Sequence, residues 1–165
     1  MEEKLKELLK NYAKSINECN IELAKEIWNQ EDRISFIHPI GYEHNFDEIK
    51  ENFYIKTMQQ RFSKRDLRIR DLKYTIYENT AIVEFCWDFY AHFIETNSDI
   101  IHKGRETQFL VLKNNEWKIT HIHYSTEPQQ NYIFFCVSSA FVDILFVSSK
   151  VLSKNITVLY STVIF

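Results

Sequence analysis

Residues 80–94, TAIVEFCWDFYAHFI, alternate large apolar side chains with more polar ones without a break. Val83, Phe85, Trp87, Phe89, Ala91 and Phe93 fall on one side of an extended chain, and Glu84, Cys86, Asp88, Tyr90 and His92 on the other. A period of two over so long a run is foreign to a helix and describes one long strand with an apolar face and a mixed one. Such a strand needs partners in a sheet and a second layer over its apolar face.

Those partners are legible on both sides of it. DLRIRDLKYTIYENT places Leu67 and Ile69 and then, after an irregularity, Leu72, Tyr74 and Ile76 on a preceding strand that ends in a turn at Asn79. KGRETQFLVLK and EWKITHIHYS, joined across Asn114-Asn115, read as a following hairpin. The covering layer comes first in the chain. Leu5, Leu8, Leu9, Tyr12 and Ile16 recur at helical spacing between Glu and Lys residues. IELAKEIWN repeats the pattern with Leu23, Ala24, Ile27 and Trp28 behind an Asn20 N-cap. ISFIHPIG reads as a short strand closed by Pro39 and Gly41. Asn45 then caps a third helix, FDEIKENFYIKTMQQRF, with Ile49, Phe53, Lys56 and Thr57 on one side. The elements predict one α+β domain over residues 1–127, its helices packed on one face of a bent antiparallel sheet.

Aromatic residues, 13 Phe, 9 Tyr and 3 Trp against 2 Gly and 2 Pro, must be largely interior and leave little chain for sharp loops. A formal charge of −3 with mixed signs gives no basic field for a nucleic acid. Cys19, Cys86 and Cys136 form no CxxC pair, and the charged start MEEKLKELLK is not a secretory signal, which points to a cytoplasmic protein with each thiol as a small core group. With no Gly-rich phosphate loop, GxSxG, HExxH or Walker sequence, nucleotide chemistry and the common hydrolase mechanisms lose their usual support, and no cofactor is expected.

Composition breaks near Pro128. Residues 131–165 hold only Asp143, Lys150 and Lys154 as charged groups and no Gly or Pro. The segment 131–152 approaches bilayer-spanning length, but Asp143 sits at its centre. Ile133, Phe134, Val137, Phe141, Ile144 and Leu145 share a helical face, so an amphipathic helix against the domain or a partner is preferred to a membrane span. An extension arising from an altered reading frame is a third alternative.

The runs FIHPIGYEHNFDEIKENFYIKTM, AIVEFCWDFYAHF and KGRETQFLVLKNNEWKITHIHYS together resemble the SnoaL-like domains of the nuclear transport factor 2-like superfamily. Their order is similar to that in the association domain of calcium/calmodulin-dependent protein kinase II, and the resemblance covers about residues 3–127. It implies a cone-shaped fold, with a curved antiparallel sheet and N-terminal helices on the concave face enclosing a pocket, and an outer sheet face that commonly meets a second subunit. That scaffold hosts isomerases, cyclases, dehydratases, hydrolases, ligand-binding proteins and oligomerising modules, so the residues must decide the function.

The apolar side of residues 80–94 belongs on the concave face. The resemblance adds Gln108 and Tyr124 to that face, with Glu106 and Leu110 beside Gln108 and with Thr120 and Ile122 beside Tyr124; Trp28, Tyr54 and Trp87 complete an aromatic pocket for a small organic ligand. The kinase domain has arginines where this chain has Trp87, Gln108 and Tyr124, so its carboxylate-binding set does not carry over. Ordinary core packing is the competing role for these rings. Catalytic candidates are Glu51 and Glu106, as carboxyls whose pKa apolar surroundings would raise, and His38, in the H-P-I-G turn. Asp88, His92, Arg105, His121 and His123 fall on the outer face and suit a wet homodimer interface in which Arg105 pairs with Asp88 or Glu84. His121 and His123 point the same way and could ligate a metal with His92 or Asp88, although no metal is expected. His44 and His102 read as exposed loop residues. The leading reading is a small-molecule-binding protein, with isomerase or dehydratase chemistry open; the alternative is a non-catalytic oligomerisation or interaction module.

Overall fold

The structure, a computed structural model, describes residues 1–31 and 33–127. Helix α1 (Glu2–Glu18) buries Leu5, Leu8, Leu9, Tyr12, Ser15 and Ile16. It stops where Cys19 turns left-handed at φ 50°, so that Cys19 N–H reaches Ile16 O and Asn20 N–H reaches Ser15 O. Asn20 Oδ1 then accepts from Leu23 N–H at 3.0 Å and starts α2 (Ile21–Ile27).

Strands β1 (Ser35–His38) and β2 (Gly41–Glu43) form a tight antiparallel pair. Helix α3 opens over Phe46–Glu48 behind a capping box, in which Asn45 Oδ1 accepts from Glu48 N–H at 2.9 Å and Glu48 Oε2 accepts from His44 N–H at 2.8 Å. It continues in π-helical geometry over Ile49–Gln59. The i→i+5 winding buries Ile49, Phe53, Tyr54 and Met58, whereas ordinary helical spacing predicts Lys56 and Thr57 on that side; Lys56 is exposed and Thr57 half-buried.

The remaining strands, β3 (Phe62–Tyr77), β4 (Thr80–Phe93), β5 (Ser98–Lys113) and β6 (Glu116–Thr126), form an antiparallel meander, and the six-stranded order is β2-β1-β6-β5-β4-β3. Strand β3 starts several residues earlier than its alternation suggests. The sequence pattern also gives no sign that β1 joins β6 in parallel, nor of β2, which is too short to display a period. Asn114 and Asn115 both take positive φ in the β5–β6 turn, as a two-residue hairpin requires.

Besides a shift between Phe62 and Lys64 at the start of β3, two register shifts bend the sheet. The irregularity read in the sequence lies between Arg70 and Lys73, where Asp71 has φ 54°. The second lies after Phe109, which faces His121 while Leu110 faces Ile119, so Ile119 rather than Thr120 occupies the inner face with Ile122. Alternate residues of β4 from Ala81 to Ala91 are buried, and with Leu110, Ile119 and Ile122 they meet the α1 and α2 side chains in one core.

Arg65 ties the layers together. Its guanidinium donates to Asn17 O at 3.3 Å, to Met58 O at 2.9 Å and to Phe62 O, while Asn17 Oδ1 accepts from Leu67 N–H at 2.7 Å. Among the described residues no helix is long and apolar enough to cross a membrane; the tail beyond residue 127, including the expected helix or span at 131–152 and Cys136, lies outside them.

Gly104 faces Trp87 across β4 and β5, and the indole lies against its backbone. A Cβ there would stand 2.1 Å from Trp87 Cζ2 and 2.5 Å from Ser125 O, and the backbone oxygen cannot move aside cheaply. Gly104→Ala is expected to cost about 1–3 kcal/mol of stability, read from urea unfolding midpoints. An unchanged midpoint would mean that Trp87 and β6 both yield.

Candidate functional site

Inward side chains of the sheet meet α1 and α3 around a cavity of about 400 Å³. Tyr12 and Ile16 come from α1, Phe53, Thr57 and Met58 from α3, Trp87, Phe89 and Phe93 from β4, Ile100, His102 and Glu106 from β5, and Tyr124 and Thr126 from β6. Pro39 and Ile40, in the β1–β2 turn, and Arg61, Phe62 and Leu67, at the start of β3, complete the wall. Apolar rings dominate, and Tyr124 meets Trp87 edge-on at 5.6 Å between centroids.

Glu106 is the single carboxylate among these lining residues. Strand alternation sets it between Phe85 on β4 and Tyr124 on β6, and it is 5% exposed. Gln108 Nε2 donates to Glu106 Oε1 at 2.8 Å, and the Tyr12 hydroxyl is its second hydrogen-bonding partner. Burial outweighs these two donors and pushes the Glu106 pKa up to about 7. The group can therefore hold or release a proton near neutrality, as a general acid or base must. Burial first, and the neighbouring Glu106 next, raise the phenol pKa values of Tyr12 and Tyr124, which keeps both as neutral hydrogen-bond donors.

His38 stands behind the wall. Its Nε2 lies 2.7 Å from Glu43 Oε2 with both side chains buried, and its ring stacks on Tyr124 at 5.7 Å and 13°. Gly41 makes room for the pair, since a Cβ there would stand 2.6 Å from Glu43 Oε1 and 2.9 Å from the imidazole.

Of the sequence-predicted pocket residues, Trp87 and Tyr124 line the cavity, whereas Trp28, Tyr54 and Gln108 are buried outside its wall. Trp28 packs on Phe36 and bridges to Ile119 on β6. Tyr54 donates to Ser15 Oγ at 2.8 Å, because the one Ser15 proton goes to Tyr12 O at 2.7 Å. Gln108 supports Glu106. Glu51 is a correction: π-helical winding turns it to solvent, where it pairs with Lys56 at 3.5 Å.

The outer-face residues are dispersed. Asp88 pairs with Arg70 at 3.2 Å and stands 4.0 Å from Lys103, while Arg105 donates to Ser125 Oγ at 3.2 Å. The Arg105 pairing with Asp88 or Glu84 does not form, because register sets Arg105 opposite Cys86. Hydrogen bonds to Asp99 at 2.7 Å and Asn97 at 3.1 Å raise the His92 pKa. His121 Nδ1 meets Ser35 Oγ at 2.7 Å, and His123 is exposed. His92 and His121 face opposite ends of β5, so they cannot share a metal, and among the described residues no three His, Cys, Asp or Glu side chains group to hold one. Cys19 and Cys86 are free thiols and half-buried rather than core.

Sequence reasoning missed Tyr12, Arg61 and His102 as lining groups and Glu43 as the partner of His38. Tyr12 alone carried a signal, as the one polar-tipped ring in the apolar stripe of α1; His102, read as a loop residue, lies on β5.

The SnoaL-like domain family model matches residues 5–128. None of the curated proteins matches the chain. A nuclear transport factor 2-like superfamily protein from Salmonella enterica serovar Typhimurium is 33% identical, covering 80% of this chain and 94% of that one, with a TM-score of 0.74. A type 2 hexachlorocyclohexane dehydrochlorinase, LinA, superposes with a TM-score of 0.69 at 10% identity, covering 77% and 85%. A LinA-type3 enzyme from Novosphingobium barchaimii follows at 0.67, also at 10% identity, covering 77% and 86%. The family match over most of the chain, joined to the curved sheet and its helical cover, places the protein in the SnoaL-like family of the nuclear transport factor 2-like fold.

Proposed function

We propose that the protein binds a small, largely apolar organic molecule in the cavity and exchanges a proton with it through Glu106, in isomerase- or dehydratase-type chemistry. The observation that carries this reading is a carboxyl poised near pH 7 at the inner end of an aromatic cavity. Ionised Glu106 takes a proton from the bound molecule, and Tyr124 donates a hydrogen bond to the charge that develops. The protonated carboxyl then returns that proton to a different atom of the molecule, completing an isomerisation, or to a departing hydroxyl, which leaves as water. Within this reading Glu51 has no part, and the His38–Glu43 pair steadies the Tyr124 ring. The LinA enzymes, at 10% identity, support the scaffold and not the reaction.

Ring opening of nitrobenzisoxazole, which needs only a base in an apolar site, tests the carboxylate. The expected rate rises with pH through about 7 and falls roughly 100-fold in Glu106→Gln. An equal rate in the variant would remove Glu106 from the role.

The raised pKa also has a stability consequence. Above the ordinary carboxylate value of 4.5 the unfolded chain releases this proton while the folded chain retains it, so the contribution is complete below 4.5 and disappears as pH rises through about 7. Glu106→Gln is expected to flatten the fall in stability over that window and to be the more stable form at pH 8, by up to roughly 3 kcal/mol. Urea midpoints measured across the range check this, and parallel curves for the two proteins would contradict it.

A homodimer through the outer sheet face is part of the same reading. Ile82 and Phe109 face each other across β4 and β5, both exposed, and His121 continues the row on β6 between polar flanks. Light scattering is expected to give twice the chain mass, with Phe109→Lys reducing it to one; a wild-type monomer would refute the interface.

A further inference from the structure

Polar groups are sorted along the cavity. Tyr12 and Glu106 sit at its inner end, 2% and 5% exposed. Outward along β5, His102 faces Phe89 and Ile100 faces Ala91, a rise from Glu106 to Ile100 of at most about 20 Å at strand spacing. At that outer end Arg61 stands between α3 and β3, exposed, with its guanidinium carbon 5.3 Å from the Phe93 ring centre. His102, also exposed, belongs to the same end, because Phe62, the neighbour of Arg61, packs on both Phe89 and Phe93. Between the two ends the wall is apolar: Met58, Phe62, Leu67, Trp87 and Phe89.

Arg61 differs from the arginines that follow it. Arg65 is spent on backbone carbonyls, Arg68 on Asp66, and Arg70 on Asp71, Asp88 and Glu127. Arg61 has no carboxylate partner among the described residues and is the single guanidinium lining the cavity. A fixed positive charge beside an aromatic ring at the mouth of an apolar channel attracts an anion and orients whatever apolar body is attached to it.

Building on the ligand reading above, we propose that the molecule is an amphiphilic organic anion: a flat apolar body lying along Trp87 and Phe89, with one carboxylate-like head held by Arg61 beside His102. The head then anchors at the mouth, and the far end of the body is what reaches Glu106. This order also keeps the negative head away from the buried carboxyl, where like charges would repel with little screening.

Calorimetric titration with naphthylacetate and with its neutral counterpart naphthylethanol tests the assignment on the intact chain. Naphthylacetate is expected to bind about tenfold tighter, the effect of one charge-assisted contact at a solvent-facing mouth. Arg61→Met, at an exposed position, is expected to erase that preference and leave naphthylethanol affinity within about twofold of wild type. Equal affinities in the wild type, or a preference that survives in Arg61→Met, would overturn the anionic head while leaving the apolar pocket standing. If neither compound binds, the ligand reading of the cavity falls, and this inference falls with it.

Discussion

A carboxyl withdrawn from water is the constraint to which the rest of the site answers. Glu106 is buried with only two neutral donors, and burial is the stronger influence on it. The donors come from different layers. Gln108 is on the same strand, two positions on and facing the same way, so the pleat alone supplies it. Tyr12 is on α1, and its approach depends on how the helix is held. The Arg65–Asn17 contacts fix the C-terminal end of α1 to β3, and the chain of hydrogen bonds from Tyr54 through Ser15 to the Tyr12 carbonyl ties α1 to α3. The state of one proton therefore rests on the packing of two helices against the sheet.

The cavity itself follows from curvature and from rings that cannot collapse. A flat sheet would lay its inner side chains against the helices and fill the space; the shifts at Asp71 and after Phe109 bend β3, β5 and β6 instead. Gly104 lets the Trp87 indole lie down on β5, which takes the largest side chain of the inner face out of the channel axis and leaves its flat side as wall. Tyr124, edge-on to Trp87 and stacked on His38, is held from two sides. Aromatic walls braced in this way hold their shape around an opening that flexible aliphatic chains would fill.

The sequence spoke clearly where one local rule governs. The alternation in β4 named its buried face from Val83 to Ala91, with Phe93 only half-buried at the end of the strand, and Asn20, Asn45 and the Asn114-Asn115 pair marked helix starts and a hairpin through their own hydrogen bonds or their tolerance of positive φ. It misled where the period itself changed. The π-helical stretch moves burial from Thr57 to Met58 and turns Glu51 outward, and the bulge after Phe109 exchanges Ile119 for Thr120 on the inner face. Neither departure leaves a mark in composition, because each is imposed by the packing of distant segments. The separation of Trp87 and Tyr124, which face the cavity, from Trp28 and Tyr54, which are merely buried, was equally out of reach. Apolar rings read alike at both kinds of position until the void between them is located.

Two buried glutamates show how structure and chemistry divide the polar groups of the cone. Glu43 meets an imidazole at 2.7 Å, and the pair is sealed between the Gly41 backbone and the Tyr124 ring. A carboxyl hydrogen-bonded to a buried imidazole forms a closed unit that holds the turn and the ring above it. Glu106 has no such partner: its neighbours are an amide and a phenol, neither of which accepts a proton near neutrality. That difference, rather than the fold shared with relatives at 10% identity, is why Glu106 is the group proposed to react.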